Sequence, residues 1–159
     1  MAEEPLDPNT FGAEQPCFGC APAHPIGLRL RFARDGDSVV TRFVPEEQWQ
    51  GPPGIMHGGL VMAAADELAA WTIIGQKGRL GFTASASTRL KRPLRIGEEV
   101  TGRGKILEDV GRVLKIAVTL AQGGNEALIG EFTFALLDES GATRLLRAPL
   151  PESWKRFCR

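Results

Sequence analysis

The sequence predicts an α+β fold in which an antiparallel sheet of about six strands wraps around one long central helix. Three observations predict it. Gly58 to Ile74 is alanine-rich, holds no proline and shows no polar period. Set at roughly 100° per residue, its apolar side chains point in every direction, which marks a helix enclosed by protein. The stretches around it alternate apolar and polar residues, the period of half-buried strands. Nineteen glycines and eleven prolines supply the turns that many short strands need.

Residues 1–27 carry five prolines and little periodicity, and read as an irregular N-terminal arm. The predicted domain runs over residues 28–148. Leu28, Leu30 and Phe32 face one way and Arg29 and Arg31 the other, which makes a first strand. Asp35-Gly36-Asp37 is a turn, Ser38 to Val44 a second strand, and Pro45 to Met56 a loop containing Gly51-Pro52-Pro53-Gly54. After the helix come four strand-like stretches, near Gly81–Leu90, Glu99–Leu107, Arg112–Ala121 and Ala127–Leu137. Strict alternation on the first puts Phe82, Ala84, Ala86, Thr88 and Leu90 on one face, and Thr83, Ser85, Ser87 and Arg89 on the other. Leu114, Ile116, Val118 and Leu120, then Leu128, Phe132, Phe134 and Leu136, give the inward rows of a meander. The tail, residues 149–159, is polar and reads as a short turn. Such a sheet has free edges, and pairing across a two-fold axis would cover one edge per subunit, so a homodimer is expected.

The chain has 159 residues and 17.2 kDa, the size of one domain. Nineteen Lys+Arg balance nineteen Asp+Glu, which argues against broad binding of nucleic acid or anionic membrane. No apolar run approaches the roughly 20 residues of a membrane span. The opening Met1-Ala2-Glu3-Glu4-Pro5 is acidic and does not read as a signal peptide. Three cysteines are too few for a disulfide scaffold, so a reducing cytoplasm is the expected location. Cys17-x-x-Cys20 with His24 invites a zinc reading. A closed tetrahedral site needs more ligands, however, and only His57 and Cys158 remain, so the pair is read as structural, with no metal and no cofactor expected. Trp49, Trp71 and Trp154 read as core or interface aromatics.

Between His57 and Lys77 the only charged residues are Asp66 and Glu67, set among alanines in mid-helix. A buried carboxylate without a partner is costly, so either these acids meet cations of a neighbouring subunit or one stands at a reaction centre. His57-Gly58-Gly59 leads straight into the helix. Its glycines let a ligand approach bare backbone, and the first-turn N–H groups suit an oxygen gaining negative charge. Arg89, Lys91, Arg92 and Arg95 then cluster in seven residues of a chain with no net charge, suiting a phosphate-bearing ligand.

His57-Gly58-Gly59 with Asp66, then Thr83-Ala84 and Arg89-Leu90-Lys91-Arg92-Pro93, resembles the hotdog-fold acyl-CoA thioesterases over about residues 17–137. The phenylacetyl-CoA thioesterase and thioesterase superfamily member branches are the most similar. Gln50-Gly51-Pro52-Pro53-Gly54, Cys17-Phe18-Gly19-Cys20 and Pro25-Ile26-Gly27-Leu28 add to the likeness. The resemblance implies a sheet around a long helix, a homodimer or homotetramer, and active sites at the subunit interface. It implies that the Gly59 N–H donates to the thioester carbonyl and that Asp66 of the other subunit is general base or nucleophile. It gives His57 an orienting role, and Thr83 the role of holding Asp66 or the attacking water. Gln50 stands where relatives place an amide, though seven positions before His57. Gly58, Arg89, Lys91 and Arg92 are the expected substrate-binding residues. A binder of acyl-CoA without hydrolytic activity is the alternative. An enoyl-CoA hydratase ranks last, because neighbouring Asp66 and Glu67 diverge by roughly 100° on a helix.

Overall fold

The computed structural model describes residues 2–159. Seven strands form one antiparallel sheet: β1 (Glu4–Pro5), β2 (Phe32–Asp35), β3 (Ser38–Phe43), β4 (Gly81–Leu90), β5 (Val100–Val110), β6 (Val113–Gln122) and β7 (Asn125–Leu136). Their spatial order is β1-β2-β3-β5-β6-β7-β4, and helix α1 (Gly58–Lys77) packs against β2 through β7. The sheet curls around the helix, with the main core between them.

The meander follows the alternation. Leu114, Ile116, Val118 and Leu120 of β6 and Leu128, Phe132 and Phe134 of β7 are buried, each at 2% exposure or less. On β5 the inward positions are Gly102 and Gly104, and they make a trough for the helix. A Cβ at Gly102 would fall 2.8 Å from the Leu68 side chain, and one at Gly104 would collide with Thr72. Thr72 is fully buried and keeps its hydroxyl satisfied by donating to the Leu68 carbonyl of its own helix at 2.7 Å. At its C-terminus α1 ends on Gly78, whose left-handed backbone (φ 61°) a glycine adopts without strain. Arg34 caps that end through two donors to the Gly75 carbonyl, at 2.9 and 2.7 Å.

Four expectations need correction. The first strand starts at Phe32 instead of Leu28. Arg29 has a positive φ of 49°, which breaks the extended run, and Leu28 and Leu30 donate instead to the carbonyls of Phe18 and Gly19. The sheet gains a seventh, two-residue strand, because Glu4–Pro5 of the arm pairs with β2. The segment after β7 forms helix α2 (Glu139–Leu146), capped by Asp138, and the tail coils as a 3₁₀ helix at Glu152–Phe157 that buries Phe157 and Cys158. Lastly, α1, 20 residues long, has the length and apolarity of a membrane span despite the two carboxylates Asp66 and Glu67 in its middle. Within this fold it is a core helix.

The burial of α1 is also incomplete on one side. Gly59 and Met62 are exposed, and Ala63, Asp66 and Ala70 are half-buried. These positions recur every three or four residues and form one stripe.

Candidate active site

The loop before α1 is a tight hairpin. His57 donates its N–H to the Trp49 carbonyl at 2.8 Å, Gln50 bridges Met56, and Met56 donates to Leu94 at 2.8 Å. These bonds set His57 at the mouth of the helix, where its Nδ1 accepts the Gly59 N–H at 3.0 Å. The His57 carbonyl takes the N–H groups of Leu60 and Val61. The first turn is thus capped from within the chain, and His57 and Gly59 are in direct contact. The Gln50 carboxamide is engaged in its own loop, donating to Glu47 and accepting the Gly54 N–H at 2.6 Å. Gln50 therefore flanks His57 through the backbone, while its side chain faces the loop.

Two turns along the helix, Asp66 Oδ1 accepts the Thr83 hydroxyl at 2.7 Å. The sequence alternation put Thr83 on the far face of its strand. The structure turns it inward because β4 carries a bulge between Thr83 and Ser85. The extra residue, Ala84, reverses the parity of the strand before it, so Thr83 lies opposite Phe134 while Ala86 lies opposite Phe132, both partners being core residues. Burial raises the pKa of Asp66, and the hydrogen bond from Thr83 partly offsets that rise.

Glu67 points elsewhere. It lies under the arm, with its Oε1 3.4 Å from the Sγ of Cys17. Burial, followed by the negative charge on Cys17, pushes its pKa up to about 8. Between the cysteines, the Cys20 thiol hydrogen-bonds to Cys17 and holds the Cys17 pKa down to about 5, while the same bond and burial push Cys20 up. Asp66 and Glu67 thus serve different faces of the helix, and a reaction needing both carboxylates over one carbon finds no support. Sequence spacing alone did not show that Glu67 belongs with Cys17, fifty residues earlier, and its neighbour Cys20.

The cation cluster is split. Gly58, Lys91 and Arg92 share a cleft of about 270 Å³ with Leu90 and Pro93 beside the helix start. Lys91 also pairs with Glu126 at 2.9 Å. Arg95 lines a neighbouring cleft with Arg92 and Gln122. Arg89 instead lies on the outer face of the sheet, in a depression with Ser87, Thr119 and Glu131.

Residues 53–128 match the family model of the thioesterase superfamily. A solved thioesterase superfamily protein is 27% identical and superposes with a TM-score of 0.71 over 85% of this chain and 71% of its own. Zebra fish thioesterase superfamily member 2 is 20% identical with a TM-score of 0.65, over 72% of this chain and 89% of its own. A hypothetical thioesterase from Streptococcus pneumoniae TIGR4, solved with coenzyme A, is 20% identical with a TM-score of 0.61, over 65% and 82%. The last two likenesses are of fold alone. The chain is also 29% identical over 86 residues to the methylthioribose-1-phosphate isomerase of Aquifex aeolicus (strain VF5), a match that covers 54% of this chain. It spans only 18% of that relative's length.

Proposed function

We propose, from the premise that this chain carries a thioesterase superfamily domain on a hotdog fold, that it hydrolyses an acyl-CoA thioester to the free acid and CoA. The observation that carries this reading is the hydrogen bond from Thr83 to Asp66 at 2.7 Å, on the helix stripe the sheet leaves open. It holds a carboxylate in one orientation beside an accessible surface, as a base or nucleophile requires.

As general base, Asp66 takes a proton from water while the water oxygen bonds to the carbonyl carbon. The C–S bond then breaks and the proton passes to the CoA sulfur. As nucleophile, Asp66 bonds the carbonyl carbon, CoA leaves and takes up a proton from solvent, and water opens the anhydride. Either route needs an N–H donor at the carbonyl oxygen, and Gly59 offers one where the helix dipole is positive. His57 Nδ1 holds that N–H at 3.0 Å, so an entering carbonyl oxygen displaces the imidazole as acceptor.

Gly59 and Asp66 of one helix lie seven residues, or roughly 10 Å, apart and cannot act on one carbonyl. Asp66 therefore works with the Gly59 of a second copy of the chain, and the active unit is a homodimer, alone or paired into a tetramer. The outer edge of β4 supports this, being ten residues long and unpaired among the described residues, with Phe82 and Leu90 exposed. Lys91 and Arg92, beside the helix start, receive the CoA phosphates; the coenzyme A in the Streptococcus pneumoniae structure supports that choice of ligand.

The Gly59 N–H being already capped favours a second reading, a hotdog protein that binds acyl-CoA without cleaving it. A thiol-release assay over short, aromatic and long acyl-CoAs separates the two. Hydrolysis should fall by roughly 100-fold or more in Asp66→Ala. Saturable binding with no thiol released would instead establish the binder, and full turnover by Asp66→Ala would overturn the mechanism.

A further inference from the structure

We propose that Cys17, Cys20 and Glu67 form a binding site for a thiophilic divalent cation, with Zn²⁺ the best fit. One donor atom from each residue lies within 4.8 Å of the other two, and Cys17 Sγ stands 3.4 Å from Glu67 Oε1. Zinc–sulfur bonds of about 2.3 Å and zinc–oxygen bonds of about 2.1 Å set tetrahedral donor separations near 3.5–3.8 Å, so the donors need move together by only about 1 Å.

The surroundings are built for this cluster. Gly19 closes the turn directly over the carboxylate, where a Cβ would sit 2.5 Å from Glu67 Cδ. The turn is held by the Ala21 N–H on Cys17, at 3.0 Å, and by Leu28 and Leu30 on Phe18 and Gly19. Glu67 is half-buried, and a carboxylate so withdrawn from water is ordinarily paired with a cation, yet its charged neighbours among the described residues are Asp66 and the Cys17 sulfur. Two thiols and a carboxylate with no cation beside them make a donor set that a soft divalent ion neutralises. Cys20 is buried and Cys17 half-buried, so the fourth position opens toward solvent and takes a water. Neither His24 nor His57 is needed. His24 Nδ1 accepts the Ile26 N–H at 3.3 Å, and His57 caps the helix. Bound metal would clip the arm to α1 one residue beyond Asp66.

The test uses the full chain, expressed with zinc and purified under reducing conditions without chelators. Elemental analysis should find about one zinc per chain, and Co²⁺ substitution should give a thiolate-to-metal charge-transfer band with the visible bands of a tetrahedral site. Cys20→Ser should abolish the band, Glu67→Gln should weaken Zn²⁺ binding by roughly tenfold or more, and Cys158→Ser should leave both unchanged. Should Cys20→Ser fail to fold, stripping wild-type protein with a chelator and re-titrating it with Co²⁺ decides the matter alone. No retained zinc and no charge-transfer band would overturn the proposal. So would a band indifferent to both Cys20→Ser and Glu67→Gln.

Discussion

At the scale of single residues, Thr83 is the group whose role depends most on one bond. Its hydroxyl fixes Asp66 at 2.7 Å, and hydrogen bonds to charged groups contribute about 1.5–3 kcal/mol. Thr83→Ala should lower kcat by roughly 10- to 100-fold with little change in KM, and Thr83→Ser should recover most of it. Steady-state kinetics on the best acyl-CoA checks both. Gly102 is the counterpart in packing. Its missing side chain lets Leu68, Thr41 and Leu120 meet over the strand, each within 2.9 Å of where a Cβ would stand. Gly102→Ala should cost about 1–3 kcal/mol by forcing those side chains apart, read as a lower urea midpoint.

At the scale of elements, α2 illustrates a helix held by its cap. Asp138 Oδ1 accepts the Gly141 N–H at 2.7 Å, and this bond, with the positive charge of Arg112, holds the Asp138 carboxyl below its usual range. A carboxylate whose folded pKa is depressed stabilises the fold fully above its unfolded value, here 3.8, and the contribution is lost as pH falls through the lower folded value. Asp138→Asn keeps the acceptor and removes the charge. Its deficit against wild type in denaturant melts should therefore be present at neutral pH and fade in acid. The bulge in β4 acts at the same scale. One inserted residue separates Thr83, which meets the helix, from Arg89 on the outer face, although an unbroken strand would have aligned them.

At the scale of the molecule, Phe11 joins three separate parts of the chain. Its ring meets Trp71 of α1 at 5.9 Å and Trp154 and Phe157 of the tail at 5.1 Å each, while Trp154 donates to the Phe11 carbonyl at 3.2 Å. Arm and tail thereby close one end of the core. Phe11→Ala should destabilise the whole protein by about 3–5 kcal/mol, lowering one cooperative thermal transition instead of loosening the arm alone. The proposed two-copy active site makes its own prediction: sedimentation should give a mass of twice 17.2 kDa or a multiple of that dimer.

The order strand, strand, helix and meander was legible in the sequence, because burial imposes a period of two on strands and an all-round apolar surface on a core helix. His57, Gly59 and Asp66 could be singled out for similar local reasons: a glycine pair at a helix mouth and acids among alanines are anomalies visible without coordinates. The partnership of Thr83 with Asp66 was implied by the family resemblance and could not be read this way. A bulge has no period, and strict alternation puts that hydroxyl on the wrong face. The same holds for the partnership of Glu67 with Cys17 and Cys20, and for the packing of Phe11 on the tail. These contacts join residues from 17 positions apart, for Asp66 and Thr83, to 143 apart, for Phe11 and Trp154, and only the closing of the chain on itself sets such distances.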